Sequence, residues 1–243
     1  MAQIDLKKAQ LFLIDGYTGI DTDFAVNLTA GYTAGATTMV VDTGTGQIPV
    51  GDRFTVAGDT VIHTVTATVE TTGNTTSITF TPALGANVDN DALITFLPHR
   101  LEIKIGEGNM TFSEKITREY IKDRGRLDIV RNGDEEPIDV RFDGVWEFLK
   151  ADTGDTPTLR DVLFNIGEAA DWVTVDTDAC QPYALKVVVY YDPECSGENK
   201  EKVTLDKFRH ESFDSDLRQG TFSVSGKSNV TLAEVQRASS FAI

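Results

Sequence analysis

Apolar and polar positions alternate with a period of two along much of the chain. Leu101, Ile103 and Ile105 alternate with Glu102 and Lys104, and Ile138, Val140 and Phe142 with Asp139, Arg141 and Asp143. Phe222 and Val224 alternate with Ser223 and Ser225. In a β-strand successive side chains point to opposite faces, so each run predicts a half-buried strand and the body is expected to be mainly antiparallel β. Leu185 to Tyr191 is apolar on both faces, which suits a central strand covered on each side. The segment TPTLRDVLFNIGEAADW supplies a cover, because Leu159, Val162, Leu163 and Ile166 recur at helical spacing. Thr156 is expected to cap this helix with Pro157 at its first position, where a missing N–H costs little, and Gly167 to fray or end it. Val145, Trp146, Phe148 and Leu149 run on directly from a strand and are read as core filling.

Residues 25–97 have a different texture. They are crowded with Thr, Gly, Ala and Val and contain one basic residue, Arg53. Five or six short β-branched or aromatic runs, among them TTMVVD, DRFTVAG, VIHTVTATVE, TSITFTP and ALITFL, are separated by Gly- and Asp-rich turn sequences. This pattern predicts a separate small β-barrel or β-sandwich with Thr on its solvent face. The organisation read from the pattern is therefore an N-terminal arm and first strand over 1–24, an inserted Thr-rich β domain over 25–97 and a second β domain over 98–243.

Within the second domain, SEKITREYIKDRGRLDIVRNGDEEP, residues 113–137, is densely charged, with breaks at Gly125 and Gly133. It is expected to project as a loop or hairpin. Charges of both signs on an extended arm are either simply solvated or the means of docking a neighbouring subunit.

The chain of 243 residues carries a net charge of -16, with 40% hydrophobic and 25% charged residues. It can bury a core. The acidity weighs against tight nucleic-acid binding, which Lys and Arg drive by displacing counterions. It serves either solubility or the passage of a polyanion without adhesion. The N-terminus has no apolar signal-peptide core, and nowhere do about 18 apolar residues run together, so neither secretion nor membrane insertion is expected. Cys180 and Cys195 match no metal pattern. Free thiols and a disulfide formed after release from a reducing cytoplasm both remain open.

Chemistry is hard to find. His63, His99 and His210 fall in separate strand-like segments without metal-ligand spacing, and no nucleophile elbow, Walker loop or dinucleotide fingerprint occurs. Asp89 and Asp91 lack the glycine and distal glutamate of a calcium loop. No catalytic residue, metal or cofactor is assigned, and an enzyme is not expected.

The stretch LEIKIGEGNMTFSEKITREYIKDRGRLDIVRNGDEEPIDVRFDGVWEFL, with the later VTLDKFRHESFDSDLRQGTFSVSGKSNV, resembles the major tail proteins that build the tube of long-tailed phages and related gene transfer particles. The resemblance covers residues 98–243 and the first two dozen residues; residues 25–97 depart from it as an insertion. It implies a tail-tube-type β-sandwich with one flanking α-helix. Six copies would close a ring around a continuous inner barrel, and rings would stack into a conduit for DNA ejection. The implied partners are further copies of the chain, the tape measure, terminator and distal tail proteins, and DNA that passes without tight binding. The implied location is the virion tail, after assembly in the host cytoplasm. On this reading Lys115, Arg118, Arg124 and Arg126 would meet acidic partners such as Glu135 and Glu136 on a neighbour. Asp139, Asp143 and Glu102 would be candidates for the lumen, where carboxylates repel phosphates.

Two other readings stand beside it. A carbohydrate-binding or adhesin-like β module would use Tyr17, Tyr32 and Trp172 as stacking platforms, and a head decoration or connector protein would use the inserted module.

Overall fold

A computed structural model describes residues 9–17, 24–44, 48–71, 75–103, 109–145, 157–178, 180–192, 199–239 and 241. The protein is mainly β. It divides into two compact units, Tyr17–His99 and the remainder, Met1–Gly16 with Arg100–Ile243.

In the larger unit the strands are β1 (Ala9–Ile14), β8 (Arg100–Ile103), β9 (Met110–Ser113), β12 (Ile138–Val145), β13 (Leu185–Tyr191), β14 (Lys200–Asp216), β15 (Thr221–Ser228) and β16 (Glu234–Ala238). They form one antiparallel sheet in the order β8-β1-β13-β14-β15-β12-β9, with β16 also pairing β14. The 17 residues of β14 serve both halves: Glu201 to Phe208 pair β13, and Phe208 to Asp216 pair β15. The register shifts on each side of this junction, and Lys207 adopts a left-handed backbone with φ 54°. Bulges of this kind bend a strand and let one chain segment belong to two packed layers.

The alternation in sequence decides what lies between the halves. Leu11, Leu13, Leu101, Ile103, Leu185 and Val187 from one half, and Ile138, Val140, Phe142, Phe222 and Val224 from the other, share one buried core. The second face of β13 buries Val188 and Tyr190 with Phe12, and Phe241 packs there edge-on to Tyr190. The core is completed by a short helix, α1 (Leu159–Phe164), through Leu159, Val162 and Leu163. Its N-cap is Thr158, not Thr156, which lies outside the described residues. The Thr158 hydroxyl accepts from the Asp161 N–H, and the Asp161 carboxylate accepts from the Thr158 N–H, closing a capping box that leaves Pro157 before the helix. The helix is also shorter than its apolar spacing predicts. Asn165 ends it in the left-handed region at φ 53°, and Ile166 leads into a 3-10 turn, Gly167–Ala169.

The smaller unit contains β2 (Ala25–Val26), β3 (Thr38–Asp42), β4 (Arg53–Val56), β5 (His63–Thr71), β6 (Thr75–Thr81) and β7 (Ile94–Leu97), in the order β2-β3-β6-β5-β4-β7. The ends of this order meet. Ala25 bridges Leu93, Val26 N–H donates to Ala92 O, and Ile94 N–H donates to Phe24 O, which closes the sheet into a barrel. Phe24, Phe54, Phe80 and Phe96 fill it with Met39, Ile48, Ile78 and Ile94.

Candidate functional site

The most distinctive surface is the segment between β9 and β12. It forms a two-stranded hairpin, β10 (Ile116–Asp123) and β11 (Arg126–Glu135), that pairs with neither of the two larger sheets. Asp123 pairs Arg126, so Arg124 and Gly125 make the turn alone, with φ 47° and 82°. Positive φ at both central residues is the I′ geometry that matches the twist of two paired strands. All eight residues of β10 are exposed. Tyr120 pairs Val130 on one face of the ribbon and Ile121 pairs Ile129 on the other. Tyr120 is 61% exposed, and Ile116, Ile121, Ile129 and Val130 also face solvent. A lone ribbon is marginal in water, and apolar pairs on both of its faces leave it without a core of its own.

The charged candidates on this arm behave differently from one another. Lys115 at its base donates to Asp139 at 2.7 Å. This hydrogen bond raises the lysine above its ordinary value and holds the Asp139 carboxyl below its own. Glu136 accepts from the Thr117 hydroxyl at 3.1 Å, and Arg118 donates to Asn132 at 2.7 Å across the ribbon. Lys115, Arg118 and Glu136 thus have partners within the subunit. Arg124 sits exposed at the tip and Glu135 is exposed at the base, while the side chain of Arg126 lies outside the described residues.

The three lumen candidates lie on two strands, β12 and β8. Asp139 and Asp143 share the outer face of β12 with Arg141, whose guanidinium lies 3.4 Å from Asp143, and Asp139 stands opposite Lys227 on β15. This face carries both signs of charge. Glu102 accepts from Gln10 at 3.2 Å and pairs across strands with Phe12, on a face whose centre is apolar. Lys104, Trp146, Phe148, Leu149 and Cys195 lie outside the described residues, and Cys180 is an exposed free thiol.

At the far end of the same half-sheet lies an open cleft of about 600 Å³, lined by Arg141, Asp143, Gly144 and Val145 of β12 and by the facing ends of β14 and β15, Asp214 to Asp216 and Thr221 to Ser223. The Asp216 carboxylate accepts from the N–H groups of Arg218 and Gln219, ordering a turn that holds Leu217 out at 84% exposure. Sequence reading missed this cleft. The alternation of Asp214 and Asp216 around Ser215 was its only trace, and nothing local marks that two strand ends will face each other.

The polar groups elsewhere are engaged in holding the fold. His63 is fully buried, with its Nδ1 2.8 Å from the Pro82 carbonyl, so that Nδ1–H donates, and its Nε2 3.4 Å from Asp59. Buried Asp52 accepts from the Tyr17 hydroxyl at 2.9 Å and contacts His99 Nε2 at 3.1 Å, and the two rings stack at 4.4 Å. His210 is depressed by burial and meets the Phe164 ring. Among the described residues no three His, Cys, Asp or Glu side chains group as metal ligands, and no helix is long and apolar enough to cross a membrane. Of the three stacking candidates, Trp172 is 5% exposed, and Tyr17 and Tyr32 pack against the barrel core. None of the three forms an open aromatic platform. Comparison with models of known families, with curated proteins and with solved structures found no match.

Proposed function

We propose that this chain is a structural subunit that assembles with copies of itself, as the tail tube protein of a long-tailed phage. The observation that carries the reading is the β10–β11 hairpin: a ribbon with apolar pairs on both faces and no core beneath it is built to be covered by another chain. The strand edges support it. Among the described residues β8 pairs only β1 and β9 pairs only β12, so each leaves an edge able to accept another strand. Ring closure removes such edges, whereas the barrel of residues 17–99 closes on itself and needs no neighbour. A bent sheet with one short helix also agrees with the architecture that the resemblance over residues 98–243 implies.

In a tube, the net charge of -16 keeps passing DNA from adhering. That repulsion is assigned to the whole subunit and not to Asp139 and Asp143, because Arg141 and Lys227 share their face. The test is negative-stain electron microscopy of the purified chain across concentration. Closed rings or hollow filaments are expected; a chain that stays monomeric at high concentration overturns the reading.

A further inference from the structure

The arm and the cleft sit at opposite ends of one half-sheet. The arm leaves β9 at Ser113 and re-enters β12 at Ile138, beside Asp139, whereas the cleft is built on Asp143 to Val145 at the other end of β12. Five residue steps, from Ile138 to Asp143, separate the foot of the arm from the middle of the cleft by roughly 17 Å. The arm itself, eight residues of β10 long, reaches out by at least as much. Two complementary surfaces at opposite ends of one half-sheet make a heterologous contact, which joins copies head to tail, into a ring where the rotation closes and into an open stack where it does not.

Their chemistry is complementary. Over residues 116–135 the arm carries five basic residues, Arg118, Lys122, Arg124, Arg126 and Arg131, and five acidic ones, Glu119, Asp123, Asp128, Asp134 and Glu135, so its charge is balanced overall and its cationic character belongs to one face. Strand alternation places Arg118, Tyr120 and Lys122 on one face, an aromatic ring between two cations, with Val130 beside the ring. The cleft offers the converse: three carboxylates, Asp143, Asp214 and Asp216, against one guanidinium, Arg141, which already contacts Asp143. Val145 supplies its apolar lining, and exposed Leu217 stands close by in the turn after Asp216.

We propose that the Arg118–Tyr120–Lys122 face of one copy's hairpin seats in the Asp143–Asp214–Asp216 cleft of a second copy, joining subunits head to tail. This rests on the self-assembly reading above and names the receptor for the arm. Tyr120 lies over Val145, and the flanking cations meet the carboxylates. Apolar contact at the centre and charge pairs at the rim divide affinity from register in the manner of other protein interfaces.

The test uses the full chain, with assembly followed by sedimentation and negative-stain microscopy. Lys122→Glu and Asp214→Lys are each expected to raise the concentration needed for assembly about 10-fold, and the two together in one chain to restore it to within about 3-fold of wild type. Circular dichroism checks that each variant is folded. A second measurement is independent of charge: in a Cys180→Ser/Cys195→Ser background, Tyr120→Cys with Ser223→Cys is expected to give a ladder of disulfide-linked oligomers on oxidation. If wild type assembles but the charge effects simply add and no ladder forms, the arm docks elsewhere and this inference falls while self-assembly stands. If wild type never assembles, the reading beneath it falls as well.

Discussion

The Arg209 guanidinium donates to the Asp176 carboxylate at 2.7 Å, while its Nε donates to the Pro182 carbonyl at 3.1 Å and Lys207 approaches the same carboxylate at 3.3 Å. Asp176 is buried, so the loop carrying Asp176 and Pro182 is fastened to β14 at the bend where Lys207 takes its left-handed backbone. The hydrogen bond from Arg209 is the main cause holding the Asp176 carboxyl below its ordinary value. A carboxyl lowered in the folded state adds stability above its unfolded value of about 3.9 and loses it as pH falls through the lower folded value. Asp176→Asn is therefore expected to melt at lower temperature than wild type at pH 7, and the gap is expected to narrow below pH ~4. Melting followed from pH 7 to pH 2 checks this; an unchanged melting temperature at pH 7 would show that the clamp contributes nothing.

Gly226 stands where the bent strand leaves no room. A Cβ built there meets the Arg209 carbonyl oxygen and the His210 Cα, both backbone atoms of β14. Backbone cannot swing aside as a side-chain end can, so Gly226→Ala is expected to cost about 1–3 kcal/mol or more. Denaturant unfolding measures it, and a cost near zero would mean that β14 and β15 slide apart freely.

Thr158 and Asp161 close the start of a helix only six residues long. Thr158→Ala removes the acceptor of the Asp161 N–H and is expected to cost about 1 kcal/mol, whereas Thr158→Ser keeps the hydroxyl and most of the stability. Equal losses for the two variants would point to packing of the Thr methyl instead of the cap.

Much of this architecture was legible because burial has a period. Ile138, Val140 and Phe142 declare their face at once, and Leu185 to Tyr191 declares two. What escaped was non-local or atypical. Tyr17, Asp52 and His99 meet across many residues of chain, with no signal in any one window. The hairpin turn is Arg124–Gly125, without the Asn or Asp that usually marks positive φ before glycine. The arm's apolar residues did not read as a strand pattern because Tyr120 and Ile121, adjacent in sequence, face opposite sides of a ribbon with no core. Pro157 favours Thr156 as the cap, yet Asp161 three residues after Thr158 is the stronger signal.

The arm's separation from the core yields the sharpest test of its purpose. Ile116 and Glu135 are registered partners at its base, so an Asn-Gly turn can replace residues 116–135 without moving β9 or β12. Lys115 keeps Asp139, and Glu114 keeps its hydrogen bond from the Ala233 N–H at 2.7 Å. Among the described residues, none of the arm belongs to the buried clusters. The shortened chain is therefore expected to show the circular dichroism of wild type and a melting temperature within a few degrees of it. It is expected to form no rings or filaments at concentrations where the intact chain does. Assembly that survives the deletion would place the contacts on the β8 and β9 edges alone. Unfolding would instead make the ribbon part of what stabilises the subunit, contrary to its exposure on both faces.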